Sequence, residues 1–152
     1  MKGNKGLSIL AGVIMGFILG MWIYSLVGYM LVSGPVVSGI HRHVPLEVRK
    51  ALLIKALKFG AAPGTFVGFI AGLVIPQPEL RFHFPRGHMA KSIGCFCWIP
   101  ITALAWITNW SNVYAMSGWE IAGAVGMTFI SLVLIIPISG TLGHYVERIQ
   151  EL

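Results

Sequence analysis

Five histidines are the residues of this chain that most directly suggest chemistry, because imidazole binds transition metals and haem iron. They form two pairs and one single position: His41, His43, His83, His88 and His144. All five fall in predicted loops or at the ends of apolar segments, and alternating membrane spans would place the two pairs on opposite sides. The chain contains no Asp and five Glu, so few carboxylates are present to orient such ligands. We therefore predict no metal, haem or other cofactor.

Patterns typical of catalysis are not found elsewhere in the sequence. It has no G-x-S-x-G, H-E-x-x-H or phosphate-binding G-x-x-x-x-G-K motif. Cys95 and Cys97 are two residues apart, which directs them to different faces of a helix, and we interpret them as small apolar side chains. Glu120 stands at the start of an apolar run, but Ser117–Glu120 matches the S-x-x-E capping box that opens a helix. The sequence thus predicts a protein without enzymatic activity.

Glycines at every fourth position are the strongest pattern in the chain. They occur in two apolar stretches, Gly12, Gly16 and Gly20 in the first and Gly60, Gly64, Gly68 and Gly72 in the second. On a helix this spacing places each set on one face, where the absence of side chains lets another helix backbone come close. Helix association in lipid depends on such packing more than on hydrophobic expulsion. We predict these seven glycines to be helix-packing residues.

Two interpretations of the glycine stripes are open. In the simpler one, the two stretches pack against each other within the chain. In the other, one stripe faces outward and docks a neighbouring subunit or another copy of the chain. The second stripe is the better candidate for an outward contact, because it lies in a short span that follows a basic segment and a proline.

The composition places the glycine-bearing elements in a membrane. The chain has 152 residues, of which 56% are hydrophobic and 11% charged, whereas soluble domains average about 25% charged residues. A membrane-spanning helix needs about 20 mainly apolar residues. Four runs without a charged residue meet or exceed that length: 7–40, 59–78, 92–119 and 121–143. We predict a single all-α membrane domain over residues 1–152, with spans at roughly 7–32, 59–75, 92–107 and 119–142.

A basic amphipathic helix is predicted over residues 46–58, directly before the second span. Four of its cations are candidates for binding lipid headgroups, namely Arg49, Lys50, Lys55 and Lys58. A helix of this kind can lie in the headgroup plane. It can equally be the polar end of a longer span whose lysines extend to the interface. Both interpretations predict contact with anionic lipid, and neither predicts nucleic acid as a partner.

The topology leaves one further alternative. In the four-span arrangement Lys and Arg divide six against five between the two sides, so the positive-inside rule gives no orientation. A re-entrant second segment would instead place both basic loops on one side.

We expect an integral membrane protein that acts as a structural or accessory subunit of a larger membrane complex, held by close helix packing. Its partners would be the lipid bilayer and other membrane helices or copies of itself. The alternative is a homo-oligomeric channel or a small transporter, in which helix breaks near Pro63, Pro100 and Pro137 expose backbone carbonyls to a pore.

Overall fold

The structure is a computed structural model, and it describes residues 5–33, 46–74, 86–114 and 116–151. Within these ranges the fold is all-helical. The helices are α1 (Lys5–Ser33), α2 (Leu46–Ala56), α3 (Ala62–Val74), α4 (Arg86–Thr108), α5 (Trp110–Val113) and α6 (Gly118–Glu151), and a π-helical turn, Leu57–Ala61, joins α2 to α3.

Three of these helical segments are long and apolar enough to cross a membrane. They are Ser8–Val32 with 25 residues, Leu46–Val74 with 29, and Gly118–Gly143 with 26. The first and third agree closely with the predicted spans 7–32 and 119–142. The apolar part of α4, Ile93–Thr108, is shorter than the other three.

The second predicted span begins earlier than the sequence suggested, because α2, the π turn and α3 form one continuous helical segment. The N–H of Ala62 donates to the carbonyl of Leu57, five residues earlier. Pro63 follows directly, and proline can neither donate a backbone hydrogen bond nor tolerate the usual position of the carbonyl four residues before it. A local wide turn accommodates that conflict without ending the helix.

Segment 46–58 is therefore part of a longer helix, and α2 packs along the last turns of α1. Leu52 and Ala56 are buried, and a Cβ placed on Gly28 would lie 2.9 Å from the Leu52 side chain. This agrees with the second interpretation of the basic segment, a span extended at its polar end, rather than with a separate helix in the headgroup plane.

The core is built on two stripes of residues spaced by four. On α1 the buried stripe is Ala11, Met15, Leu19, Ile23, Val27 and Leu31, and on α4 it is Ile93, Cys97, Ile101 and Ala105. Because four-residue spacing keeps side chains on one face, each helix presents a continuous ridge to its neighbours. Helices α1 and α4 are thus the inner pair of the bundle, with α3 and α6 packed outside them.

The contacts also define the direction of each helix. Gly20 lies against Gly60, and Gly72 lies against Ile9, so α1 and the α2–α3 segment are antiparallel. Gly94 lies against Ser139, whereas Trp106 bonds to Thr128, so α4 and α6 are antiparallel as well. We refer to the end of the bundle near Asn109 as the Asn109 end and to the opposite end as the Val74 end.

Candidate functional site

The closest helix contact in the described structure is made by the two glycine stripes, which face each other. A Cβ built on Gly16 would overlap the carbonyl oxygen of Gly64, and one built on Gly68 would overlap that of Gly12. A Cβ on Gly60 would come within 2.6 Å of the carbonyl oxygen of Gly20, which is closer than side chains tolerate. The two backbones therefore touch along four turns of helix, and only glycine fits between them.

This geometry decides between the two interpretations of the stripes. Gly12, Gly16 and Gly20 are buried, as are Gly60, Gly64, Gly68 and Gly72. Gly60, Gly64 and Gly68 face the first stripe and Gly72 faces Ile9, so α1 covers the second stripe and the intramolecular interpretation applies. The expectation that the second stripe is the one available to a partner is wrong, because α1 already covers it.

The first stripe extends beyond its three glycines. Tyr24 and Gly28 continue the spacing of four from Gly20, and both are buried. Tyr24 fills the place where the backbones begin to separate, since a Cβ on Gly60 would lie 2.7 Å from the Tyr24 Cβ. The spacing of four residues was visible in the sequence, but Tyr24 interrupts the run of glycines and separates Gly28 from it.

Polar side chains from three helices meet at Tyr24, near the Asn109 end. The Tyr24 hydroxyl and the Thr108 hydroxyl are 2.6 Å apart, and the Asn109 amide donates to Tyr24 Oη at 3.4 Å. The Lys55 ammonium donates to the Thr108 carbonyl and to Asn109 Oδ1, each at 3.3 Å. We call Tyr24, Lys55, Thr108 and Asn109 the polar cluster.

The polar cluster satisfies the last turn of α4. The final carbonyls of a helix have no partner within the helix, and a cation there interacts favourably with the helix dipole. Lys55 supplies both the hydrogen bond and the charge, while Asn109 is 1% exposed and bonds through its amide to the Ala105 carbonyl as well. Lys55 thus ties α2 to α4, which differs from its predicted role in binding lipid headgroups.

Helices α4 and α6 are joined by two indole hydrogen bonds. The Trp98 N–H donates to Ser131 Oγ at 2.9 Å, and the Trp106 N–H donates to Thr128 Oγ1 at 3.1 Å. Ser131 is fully buried. In lipid, such bonds contribute to helix association because few other polar partners are available.

Glu120 forms the predicted capping box. Its carboxylate accepts a hydrogen bond from the Ser117 N–H at 2.9 Å, and the Glu120 N–H donates to Ser117 Oγ at 3.4 Å. These two bonds satisfy backbone donors at the start of α6. The presence of a carboxylate at position 120 is therefore explained by its role in capping this helix.

The other predicted headgroup-binding residues lie on the surface. Arg49, Lys50 and Lys58 are exposed, and the Lys58 ammonium lies 5.4 Å from the centre of the Phe59 ring. Their placement near the Asn109 end leaves the prediction of lipid contact in place for these three residues.

The histidines fall outside the side chains that the structure describes, namely His41, His43, His83, His88 and His144. Among the described residues, no group of three or more His, Cys, Asp or Glu is arranged to hold a metal ion.

Comparisons of this chain with protein-family models, with curated proteins and with solved structures found no match.

Proposed function

We propose that the chain is an integral membrane protein with four spans, in which α4 is the fourth crossing segment. Helix α4 has 23 residues, which corresponds to about 33 Å of helix and exceeds the roughly 30 Å hydrocarbon core. It contacts α1, α3 and α6, and this burial explains how it tolerates a shorter apolar segment than its neighbours.

We also propose that the α2–α3 segment crosses the membrane, in preference to the re-entrant arrangement. The 20 residues from Lys55 to Val74 form a continuous helical segment that rises about 28 Å, close to the thickness of the hydrocarbon core. When Val74 is placed at one boundary of the hydrocarbon core, Lys55 and the polar cluster lie at the other boundary. Exposed Trp110, Tyr114 and Trp119 are near the same end, as expected for aromatic residues at a membrane interface.

Within that arrangement we propose a non-catalytic structural or accessory subunit of a larger membrane complex. The observation that carries this proposal is the outward face of α6. Only 17% of the apolar window of α6 is buried within the chain, against 44% for α1. The glycine stripes are used internally, so a partner helix would have to dock elsewhere, and α6 is the segment with most apolar surface left.

The outward face of α6 also carries small residues at the spacing that favours helix contact. Gly118, Ala122 and Gly126 are spaced by four and exposed, and a Cβ on Gly118 or Gly126 would meet no atom within 4 Å. Small residues in this register allow the close backbone approach on which association in lipid depends. We propose that this line contacts a helix of the partner.

Native electrophoresis after extraction of the full chain in mild detergent tests the proposal. The wild type should migrate as part of a complex, and Gly126→Leu should release it, because leucine fills the space that the partner backbone would occupy. Val125→Leu is the matched control, since it adds leucine at a neighbouring exposed position outside the line of small residues. A wild-type chain that is strictly monomeric would rule out the accessory-subunit proposal.

The alternative of a homo-oligomeric channel or small transporter has less support. It depended on breaks near Pro63, Pro100 and Pro137, but Pro100 and Pro137 lie inside α4 and α6, and Pro63 is in the first turn of α3, which continues from the π turn. Flux measurements on proteoliposomes that contain only this chain address this alternative, and solute uptake above that of empty liposomes would revive it.

A further inference from the structure

An apolar groove of about 500 Å³ runs along the seam between α1 and the α2–α3 segment. Its lining is Val13, Phe17, Leu57, Ala61, Ala62, Thr65, Phe66 and Phe69. The lining includes Ala61 and Ala62, where the π turn meets α3, and three phenylalanines. The groove exists because the glycine contact holds two backbones together while small side chains at Ala61 and Ala62 leave space beside them.

The groove is longer than the depth of one membrane leaflet. From Leu57 to Phe69 the helix advances by 12 residues, or about 18 Å, and half of the hydrocarbon core is about 15 Å. Leu57 is two residues beyond Lys55 and therefore lies near the interface in the arrangement proposed above, whereas Phe69 is five residues before Val74 and lies beyond the bilayer centre. The groove thus runs from the headgroup region past the middle of the bilayer.

Exposed lysines stand at the headgroup end of the groove. Lys50, Ile54 and Lys58 are spaced by four and exposed, so they share a face that leads towards Ala62 and Phe66. Lys58 is directly adjacent to Leu57, and the contact recorded for its ammonium is the Phe59 ring at 5.4 Å. Glu47, the one carboxylate of α2, lies on the same face three residues before Lys50, so it is further from the groove than either lysine, and Lys58 is the cation that stands nearest the groove.

We propose that the groove holds one acyl chain of an anionic phospholipid, with the phosphate of its headgroup at Lys58 and Lys50. The lysines supply the complementary charge, and the groove is long enough to hold an acyl chain that extends through half of the hydrocarbon core. The inference needs the membrane placement of α1 and α2–α3, but it does not depend on assembly through α6.

Native mass spectrometry of the full chain provides the test. The purified protein is mixed in detergent with equal amounts of phosphatidylglycerol and phosphatidylcholine that carry identical acyl chains. We expect the wild type to retain one phosphatidylglycerol in preference to phosphatidylcholine. A juxtamembrane lysine strengthens binding to anionic lipid about fivefold, so Lys50→Gln with Lys58→Gln should lower the preference about 25-fold. Lys5→Gln, an exposed lysine near the Val74 end, is the charge control and should change it little.

A second pair of variants tests the groove itself. Ala62→Phe fills the groove from an exposed position and should reduce retention of both lipids, whereas Ala103→Phe, at an exposed position of α4 outside the groove, should not. Equal retention of both lipids by the wild type would overturn the proposal, and so would an unchanged preference in the double lysine variant. If Ala62→Phe instead converts a dimer to a monomer, a second copy of the chain occupies the groove and the lipid assignment is wrong. A monomeric wild type that still selects phosphatidylglycerol would reject the subunit proposal and retain this one.

Discussion

Replacing Gly64 by Ala tests whether close backbone contact between α1 and α3 holds this fold together. Gly64 is at the centre of the contact and faces two glycines of α1. A Cβ at this position would overlap the Gly16 carbonyl oxygen and lie 3.0 Å from the Gly16 carbonyl carbon and 3.1 Å from the Gly20 Cα. All of these are backbone atoms, so no side chain can rotate away to make room.

The size of the effect follows from that geometry. The helices must separate by roughly 1 Å, and a gap of 0.5–1 Å already loses a quarter to a half of the dispersion energy of each contact. Overpacking of a well-packed site costs about 1–3 kcal/mol, whereas Ala gains about 0.8–1.0 kcal/mol over Gly in helix propensity. Because the separation affects neighbouring turns as well, we expect the cost to dominate, with a net destabilisation of about 2 kcal/mol.

Thermal unfolding in detergent micelles, followed by circular dichroism or by fluorescence-detected gel filtration, measures the effect. For a chain of this size, about 2 kcal/mol corresponds to a decrease of roughly 4–8 °C in Tm. Gly126→Ala is the matched control, since it adds the same methyl group where a Cβ meets no atom within 4 Å and should leave Tm unchanged or slightly higher. If the two variants unfold at the same temperature, close contact along the stripes contributes nothing measurable to stability.

Three further predictions concern the polar contacts. Lys55→Met should lower the free energy of unfolding by about 1–3 kcal/mol, because it leaves the Asn109 side-chain oxygen without the ammonium. The control Lys58→Met changes an exposed lysine and should alter that free energy by less than about 0.5 kcal/mol. Similar melting temperatures for the two variants would argue against a structural role for Lys55. Ser131→Ala should cost about 1–2 kcal/mol by leaving the Trp98 N–H unpaired, and it should also shift Trp fluorescence. Ser117→Ala should cost about 0.5–2 kcal/mol through loss of the cap, detectable as faster amide exchange in the first turn of α6; unchanged exchange would contradict the role of the capping box.

Features that depend on local composition could be predicted from the sequence. The apolar parts of α1 and α6 follow from uninterrupted apolar runs, although α6 continues past its run to Glu151, and the start of α6 follows from the capping box at Ser117–Glu120. The spacing of the glycines correctly marked one face of α1 and one of α3, because helical periodicity is a property of neighbouring residues. None of these inferences required knowledge of which helices are adjacent.

Features that depend on pairing between distant segments could not be predicted. Lys55 has a neighbour directly after α4, Asn109, that lies 54 positions away in the sequence, and nothing local distinguishes it from exposed Lys58. The continuity of α2 with α3 was also missed, because Pro63 normally marks a helix boundary and a π turn is a rare way to accommodate it. The prediction that the second glycine stripe faces a partner was wrong for the same reason, because a helix face made of glycines does not show which helix packs against it.

The arrangement of the helices separates the two proposed interaction surfaces. Helices α1 and α4 lie between α3 and α6, and among the described residues α3 and α6 share no substantial contact. The groove is on the seam of α1 with α2–α3, whereas the line of small residues is on the outward face of α6. Changes at independent sites usually have additive effects. Lipid retention should therefore respond to Ala62→Phe and not to Gly126→Leu, and assembly should respond in the opposite way, because the two surfaces share no residue.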